Sequence, residues 1–271
     1  KESNMEKQYK IAVLIDAENV STKYIKLIMD ELSAYGIATY KRVYGDFTSP
    51  GVMAWQDKLI EYAMMPVFQF NYTKGKNASD SALIIDAMDI LYSGKVNGFC
   101  LVTSDSDFTK LAIRLREAGM TVIGMGEKKT PPSLVAACES FKFLDLLYQE
   151  SSQNETMDMV QASLKQENEK KELEEPKKEV ADEKAGVNNI PTREEVGREI
   201  ASILESRSDE DEWMNLSEVG NMLLKRIPGF DPRNYNYTKL GKMIKSYDFL
   251  EIKTKFNPND KFLKIVYVRM K

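Results

Sequence analysis

No histidine occurs anywhere in the 271 residues. Without an imidazole there is no Ser/His or Cys/His nucleophile pair and no histidine general base. Cysteine is nearly as scarce. Cys100 and Cys138 are the only two, far apart and outside any CxxC spacing, which argues against a disulfide framework or a zinc site and leaves both as core thiols. No apolar run approaches the ~20 residues needed to cross a bilayer, and the first residues carry no signal-peptide core. The expectation is a cytoplasmic protein with no membrane partner. A net charge of −4 also rules out a surface that binds polyanions everywhere, so the position of the charge matters more than its total.

What the chain does contain is 42% hydrophobic residues, enough for ordinary cores, and a length that suits two modest domains. Short apolar runs alternate with helical patterns over the first 150 residues. Strands are expected at Ile11–Ile15, Thr39–Tyr44, Pro66–Phe70, Phe99–Thr103 and Thr121–Met125. Helices are expected at Tyr24–Leu32, Ala54–Ala63, Ser79–Leu91 and Phe108–Ala118, with further helical material up to Tyr148. Five strands alternating with helices imply an α/β fold, a parallel sheet flanked by helices on both faces.

Four aspartates fall at functional places in that pattern. Asp16 ends the first strand, Asp105 and Asp107 follow the Phe99–Thr103 strand, and Asp80 opens the helix after the third strand. Ligands bind beyond the carboxyl ends of strands in open parallel sheets, so these acids should converge if the first and fourth strands are neighbours. Carboxylates ~4 Å apart repel by roughly 4 kcal/mol at an effective dielectric of about 20, and a hard divalent cation reverses that balance. Mg²⁺ or Mn²⁺ bound by Asp16, Asp80, Asp105 and Asp107 would suit phosphodiester hydrolysis. Each acid also has a plainer role: Asp80, Asp105 and Asp107 as helix caps, and Asp16 as a buried acid needing a partner.

Asp16-Ala-Glu-Asn19, Asp80-Ser-Ala-Leu-Ile-Ile-Asp86, Thr103-Ser-Asp-Ser-Asp-Phe108 and Gly119-Met-Thr-Val-Ile-Gly124 together resemble the NYN domain. That group is related to PIN-like nucleases and includes the LabA-like bacterial proteins. The resemblance covers roughly residues 9 to 148. It implies a Rossmann-like (PIN-like) fold and a metal-dependent ribonuclease site at the four aspartates, with Asn19 beside it. The family often shows Lys-Gly before its central Asp, whereas here Lys74-Gly75-Lys76 stands several residues upstream of Asp80. Asn19 reads either as an amide that bridges a metal-bound water or phosphate, or as an N-cap. Ser104 reads as a phosphate donor or a turn hydroxyl, and Lys74 and Lys76 as RNA contacts or an ordinary exposed loop. Asp86, about 120° around the helix from Asp80, cannot face the same ion squarely and is assigned a supporting or solvated role.

Residues 151–190 change character. They contain no Phe, Tyr or Trp, and ten acids against six bases. Such a segment cannot bury enough apolar surface to offset its ordering entropy and reads as a flexible charged linker that fixes no geometry. A compact pattern resumes over 191–271, with helices expected at Arg193–Glu205, Leu216–Arg226 and Tyr237–Ser246, and strands at Phe249–Lys255 and Phe262–Arg269 joined by Asn257-Pro-Asn-Asp260. Three helices and a hairpin make a small winged-helix α+β domain.

From Lys225 to Lys271 there are twelve bases against four acids. Lys239, Lys242 and Lys245 recur every three residues, and Lys253 and Lys255 share one strand face, an array suited to phosphate. Tyr235 and Tyr237 are candidates for base stacking or for burial. Leu216-Ser-Glu-Val-Gly-Asn-Met-Leu-Leu224 and Pro228-Gly-Phe-Asp-Pro-Arg-Asn-Tyr235 resemble the OST-HTH or LOTUS domain, which implies RNA binding or a protein partner. The combined expectation is a metal-dependent endoribonuclease acting on single-stranded RNA with a tethered RNA-binding module. The alternative is a non-catalytic RNA-binding adaptor.

Overall fold

The computed structural model describes residues 9–69, 78–151, 190–206, 213–257 and 260–271. The expected linker at 151–190 lies almost wholly outside them, as do Lys74, Lys76 and the hairpin tip at 258–259. In the first module six strands, all parallel, lie in the order β3-β2-β1-β4-β5-β6. They are β1 Lys10–Asp16, β2 Ile37–Gly45, β3 Met65–Phe68, β4 Gly98–Val102, β5 Thr121–Gly126 and β6 Ser140–Phe143.

Both faces of the sheet are covered, which is why its central strands are continuous apolar runs rather than alternating ones. Ile11, Val13 and Ile15 point into one core with Cys100 and Val102, closed by α1 (Ile25–Ser33) and, beyond the short α2 (Pro50–Met53), by α3 (Trp55–Glu61). Ala12 and Leu14 point into the other with Phe99 and Leu101, closed by α4 (Ala78–Tyr92), α5 (Thr109–Glu117) and α6 (Pro132–Ala137). Leu14 is fully buried, so truncating it to Ala would cost about 2–5 kcal/mol.

The sixth strand departs from the sequence expectation, which assigned this stretch to helix. It is four residues long and sits between α6 and the helix α7 at 144–151, inside a run whose apolar residues also fit helical spacing. Gly124 on β5 makes room for it, since a Cβ there would lie 2.3 Å from the Phe141 ring.

The second module packs α8 (Arg193–Glu205), α9 (Leu216–Arg226) and α10 (Leu240–Lys245) against an antiparallel sheet in the order β7-β9-β8. The long hairpin β8 (Leu250–Asn257) and β9 (Asp260–Met270) is joined by the two-residue strand β7 (Met214–Asn215), too short to carry a periodic signal. Thr192 and Glu195 form a capping box that starts α8. The third helix is shorter than expected. Asn236 is left-handed and Lys239 is extended, so the chain enters α10 only at Leu240.

The two modules touch. Phe141 on β6 donates its backbone N–H to Pro228 O at 2.7 Å, and Arg233 and Asp231 of the second module pair with Glu31 and Lys142 of the first. Proximity in this structure is set by a contact surface, not by chain connectivity alone.

Candidate functional site

Strand order reverses between β1 and β4, which are hydrogen-bonded neighbours. In α/β sheets ligands bind beyond the carboxyl ends of strands at such a switch point. Asp80 in the first turn of α4, Asp105 at the N-cap of the 3-10 turn Ser106–Phe108, and Asp107 within that turn each offer a carboxylate oxygen within 4.8 Å of the others. Capping and clustering coexist at Asp105. Its Oδ1 accepts the Asp107 N–H at 2.9 Å while the residue stays in the acidic trio.

Asp16 stands slightly apart from that trio. It is 2% exposed and accepts hydrogen bonds from Asn19 Nδ2 at 2.7 Å, Thr103 Oγ1 at 2.9 Å, and the backbone N–H groups of Glu18 at 3.1 Å and Asn19 at 3.3 Å. Burial raises its pKa, and these donors oppose the rise. Asp80 is pushed up to about 6 by burial and by the negative charges of Asp16, Asp105, Glu18 and Asp107. Acids from three separate stretches of the sequence therefore share one electrostatic neighbourhood.

The supporting residues make bonds within the protein. Asn19 is not the N-cap of the following turn, a place taken by Ser21, and its Nδ2 donates to Asp16. Ser104 accepts the Glu127 N–H at 2.9 Å, bracing the β4 and β5 ends. Asp86 takes hydrogen bonds from Arg42 and Tyr44 on β2. Thr103, which sequence reasoning did not single out, accepts the Asp105 N–H at 3.1 Å while donating to Asp16. A threonine closing an apolar strand just before Ser-Asp is the only local signal it leaves. Gly126 lets this turn form, for a Cβ there would lie 2.6 Å from Thr103 O and 2.9 Å from Ser104 Oγ.

In the second module Lys239, Lys242 and Lys245 border one groove of about 460 Å³ whose floor includes Leu216, Leu240 and Ile252. Lys239 belongs to the approach to α10 rather than to the helix itself. Lys253 and Lys255 lie elsewhere, on β8, with their ammonium groups 5.3 Å and 5.8 Å from the Trp213 and Tyr267 ring centres. Trp213 was not anticipated, and Arg269 also stacks on it at 4.6 Å. Tyr235 is held in the module by its hydroxyl on Pro191 O at 2.8 Å and its ring against Phe230, which removes it as a free stacking platform. Tyr237 packs against the same core.

Residues 10–146, half of the chain, match the NYN domain family. The chain belongs to the NYN family. Residues 194–261 match the OST-HTH/LOTUS domain, so the NYN module carries a second module of a type that implies RNA binding. The uncharacterized protein MJ0482 of Methanocaldococcus jannaschii is 28% identical over 124 residues, 44% of this chain and 48% of that protein. The chain thus spans about half the length of the curated relative it matches. A crystal structure of a protein of unknown function, VPA0982 from Vibrio parahaemolyticus RIMD 2210633, aligns at a TM-score of 0.41 and 19% identity, covering 50% of this chain and 93% of that one.

The NYN site has the donor chemistry of a hard-cation centre. Its trio offers only carboxylate oxygen, and the Asp80 carboxyl is raised first by burial and then by the neighbouring negative charges, the part that a divalent ion would relieve. Among the described residues no helix is long and apolar enough to cross a membrane.

Proposed function

We propose that this chain is a divalent-metal-dependent endoribonuclease that cuts single-stranded RNA, with a catalytic module at 9–148, a linker at 151–190 and an RNA-holding module at 191–271. The observation that carries the reading is the convergence of Asp80, Asp105 and Asp107 within 4.8 Å at the point where strand order reverses. Asp16 adds to the negative potential at Asp80 and is assigned to the same site. Mg²⁺ or Mn²⁺, when bound, would neutralise charge on a phosphoryl oxygen and acidify a water.

The chain's own residues do the positioning. Asp80, Asp105 and Asp107 would hold the ion, Asn19 and Thr103 fix the Asp16 carboxylate, and Ser104 braces the turn that carries Asp105 and Asp107. Lys239, Lys242 and Lys245, and separately Lys253 and Lys255, supply cationic contacts for phosphates. Lys74 and Lys76, which precede Asp80 in the sequence, remain proposed RNA contacts. Two buried free thiols, Cys100 and Cys138, support a reducing, cytoplasmic setting.

The test is Mn²⁺-dependent cleavage of an end-labelled single-stranded RNA by the wild type and by Asp16→Asn and Asp105→Asn. Both variants should keep their fold, read by circular dichroism, and lose cleavage. Equal cutting by all three would point to a contaminating nuclease. RNA retained uncut, with no ion bound at millimolar Mg²⁺ or Mn²⁺, would establish an RNA-binding adaptor instead. The full hydrogen bonding of Asp16 is the observation that favours that second reading.

A further inference from the structure

The loop from Pro228 to Arg233 leaves its own module and reaches the outer strand of the six-stranded sheet. Phe141 donates its backbone N–H to Pro228 O, the kind of bond an edge strand offers a neighbour. The next residue is Gly229, where a Cβ would lie 3.1 Å from the Phe143 ring and 3.3 Å from Val135. The approach of backbone to sheet is therefore close and leaves little space for a side chain.

Beyond it lies a chain of alternating charge. Lys142 on β6 bonds Asp231 at 2.6 Å. Asp231 accepts from Arg233 at 2.8 and 2.9 Å, and Arg233 continues to Glu31 on α1 through two parallel bonds of 2.6 and 2.9 Å. Two members come from each module, and every charge faces one of opposite sign. Glu150 on α7 adds a further negative charge beside Arg233. Asp231 is only 6% exposed. Burial would raise its pKa, yet the bonds from Arg233 and Lys142 prevail and hold it at about 2. Forked arginine–carboxylate pairing demands a defined geometry, and a buried charge whose partner is withdrawn is costly.

We propose that the 228–233 loop is a docking tongue, and that Arg233 and Asp231 latch the OST-HTH module onto the β6 edge and α1 of the same chain, so that the two modules move as one body in solution. Its basis is these contacts alone, and it holds whether or not the acidic cup cleaves RNA.

The test is amide hydrogen exchange on the intact chain, read at Phe141, with Val13 in the buried sheet as the control for folding. Docking should protect Phe141 in the wild type independently of protein concentration. Arg233→Gln and Glu31→Gln should each accelerate its exchange about tenfold or more while leaving Val13 unchanged. Because the two side chains share one interaction, the double variant should be no faster than the more affected single variant, within about threefold. Glu31→Gln lies on the first module, so it tests the latch without touching the fold of the second. The proposal is overturned if Phe141 exchanges at an unprotected rate in the wild type, or if neither substitution alters it. Multiplying effects in the double variant would also overturn it. So would protection that fades on dilution, which would place the contact between copies.

Discussion

Thr103 Oγ1 donates to Asp16 Oδ2 across 2.9 Å inside the protein, joining the end of β4 to the end of β1. The same hydroxyl oxygen accepts the Asp105 N–H. One side chain thus fixes the buried acid and the start of the acidic turn together.

Thr103→Val should therefore do more than remove a hydroxyl. It leaves a buried carboxylate and a backbone N–H each short of a partner, at a cost of about 1–3 kcal/mol in stability. Ion affinity should fall with it, whereas Thr103→Ser should retain most of both. Urea unfolding and Mn²⁺ calorimetry on the pair of variants check this. Equal behaviour of Val and Ser would remove the bridging role.

The pH dependence follows from Asp80. An aspartate in an unfolded chain titrates near 3.8, and here the carboxyl is pushed up to about 6. The ion-free fold therefore holds this proton more tightly than the unfolded chain does. Its contribution is fully favourable below about 3.8 and is lost as pH rises through 6. In EDTA, Asp80→Asn should gain melting temperature over the wild type at pH 7.5 and show little or no gain at pH 4. Mn²⁺ affinity of the wild type should weaken below pH 6, where the ion must displace the proton. A stability difference that does not change with pH would contradict the assignment.

Gly126→Ala places a methyl group 2.6 Å from Thr103 O. Overpacking of this kind costs about 1–3 kcal/mol, and the displaced carbonyl belongs to Thr103, whose side chain holds Asp16 and the Asp105 N–H. Ion binding should weaken even though no acid has been changed. Thermal melts and calorimetry together separate this from a purely structural loss, which would lower the melting temperature with affinity intact.

Replacing Lys239, Lys242 and Lys245 by Ala should lower RNA affinity and flatten its salt dependence. If each lysine neutralises one phosphate of a single strand, the slope of log K against log salt should fall by about 2 in magnitude. Fluorescence anisotropy from 50 to 500 mM salt, as a rough working range, measures it. An unchanged slope would assign the groove to something other than RNA.

Much of this arrangement was legible in the sequence because burial on both faces makes β1 and β4 unbroken apolar runs, and their ends are visible as the first charged or hydroxylated residues. Asp16 and Asp105 could be placed at those ends without coordinates. Adjacency of β1 and β4 has no local signature, since it is a property of strand order. β6 has no clear signature because Ser140–Phe143 is too short to outweigh the helical spacing around it. The bonds of Asp86 to Arg42 and Tyr44 join residues more than forty positions apart, and the pairing of Arg233 with Glu31 spans two hundred. Interactions of that range leave no mark on neighbouring residues.

The β6 contact with Pro228 bears on how copies of this protein behave when crowded. A six-stranded sheet has two rims, and an open rim is a template for lateral growth. One rim is engaged by the chain's own tongue at Phe141. The other, β3, is only four residues long and contains Pro66, which takes a donor out of the strand. Met65 and Phe68 are nevertheless exposed there, so loosening the tongue would uncover a second adhesive border and turn a self-limited particle into one able to stack with its neighbours.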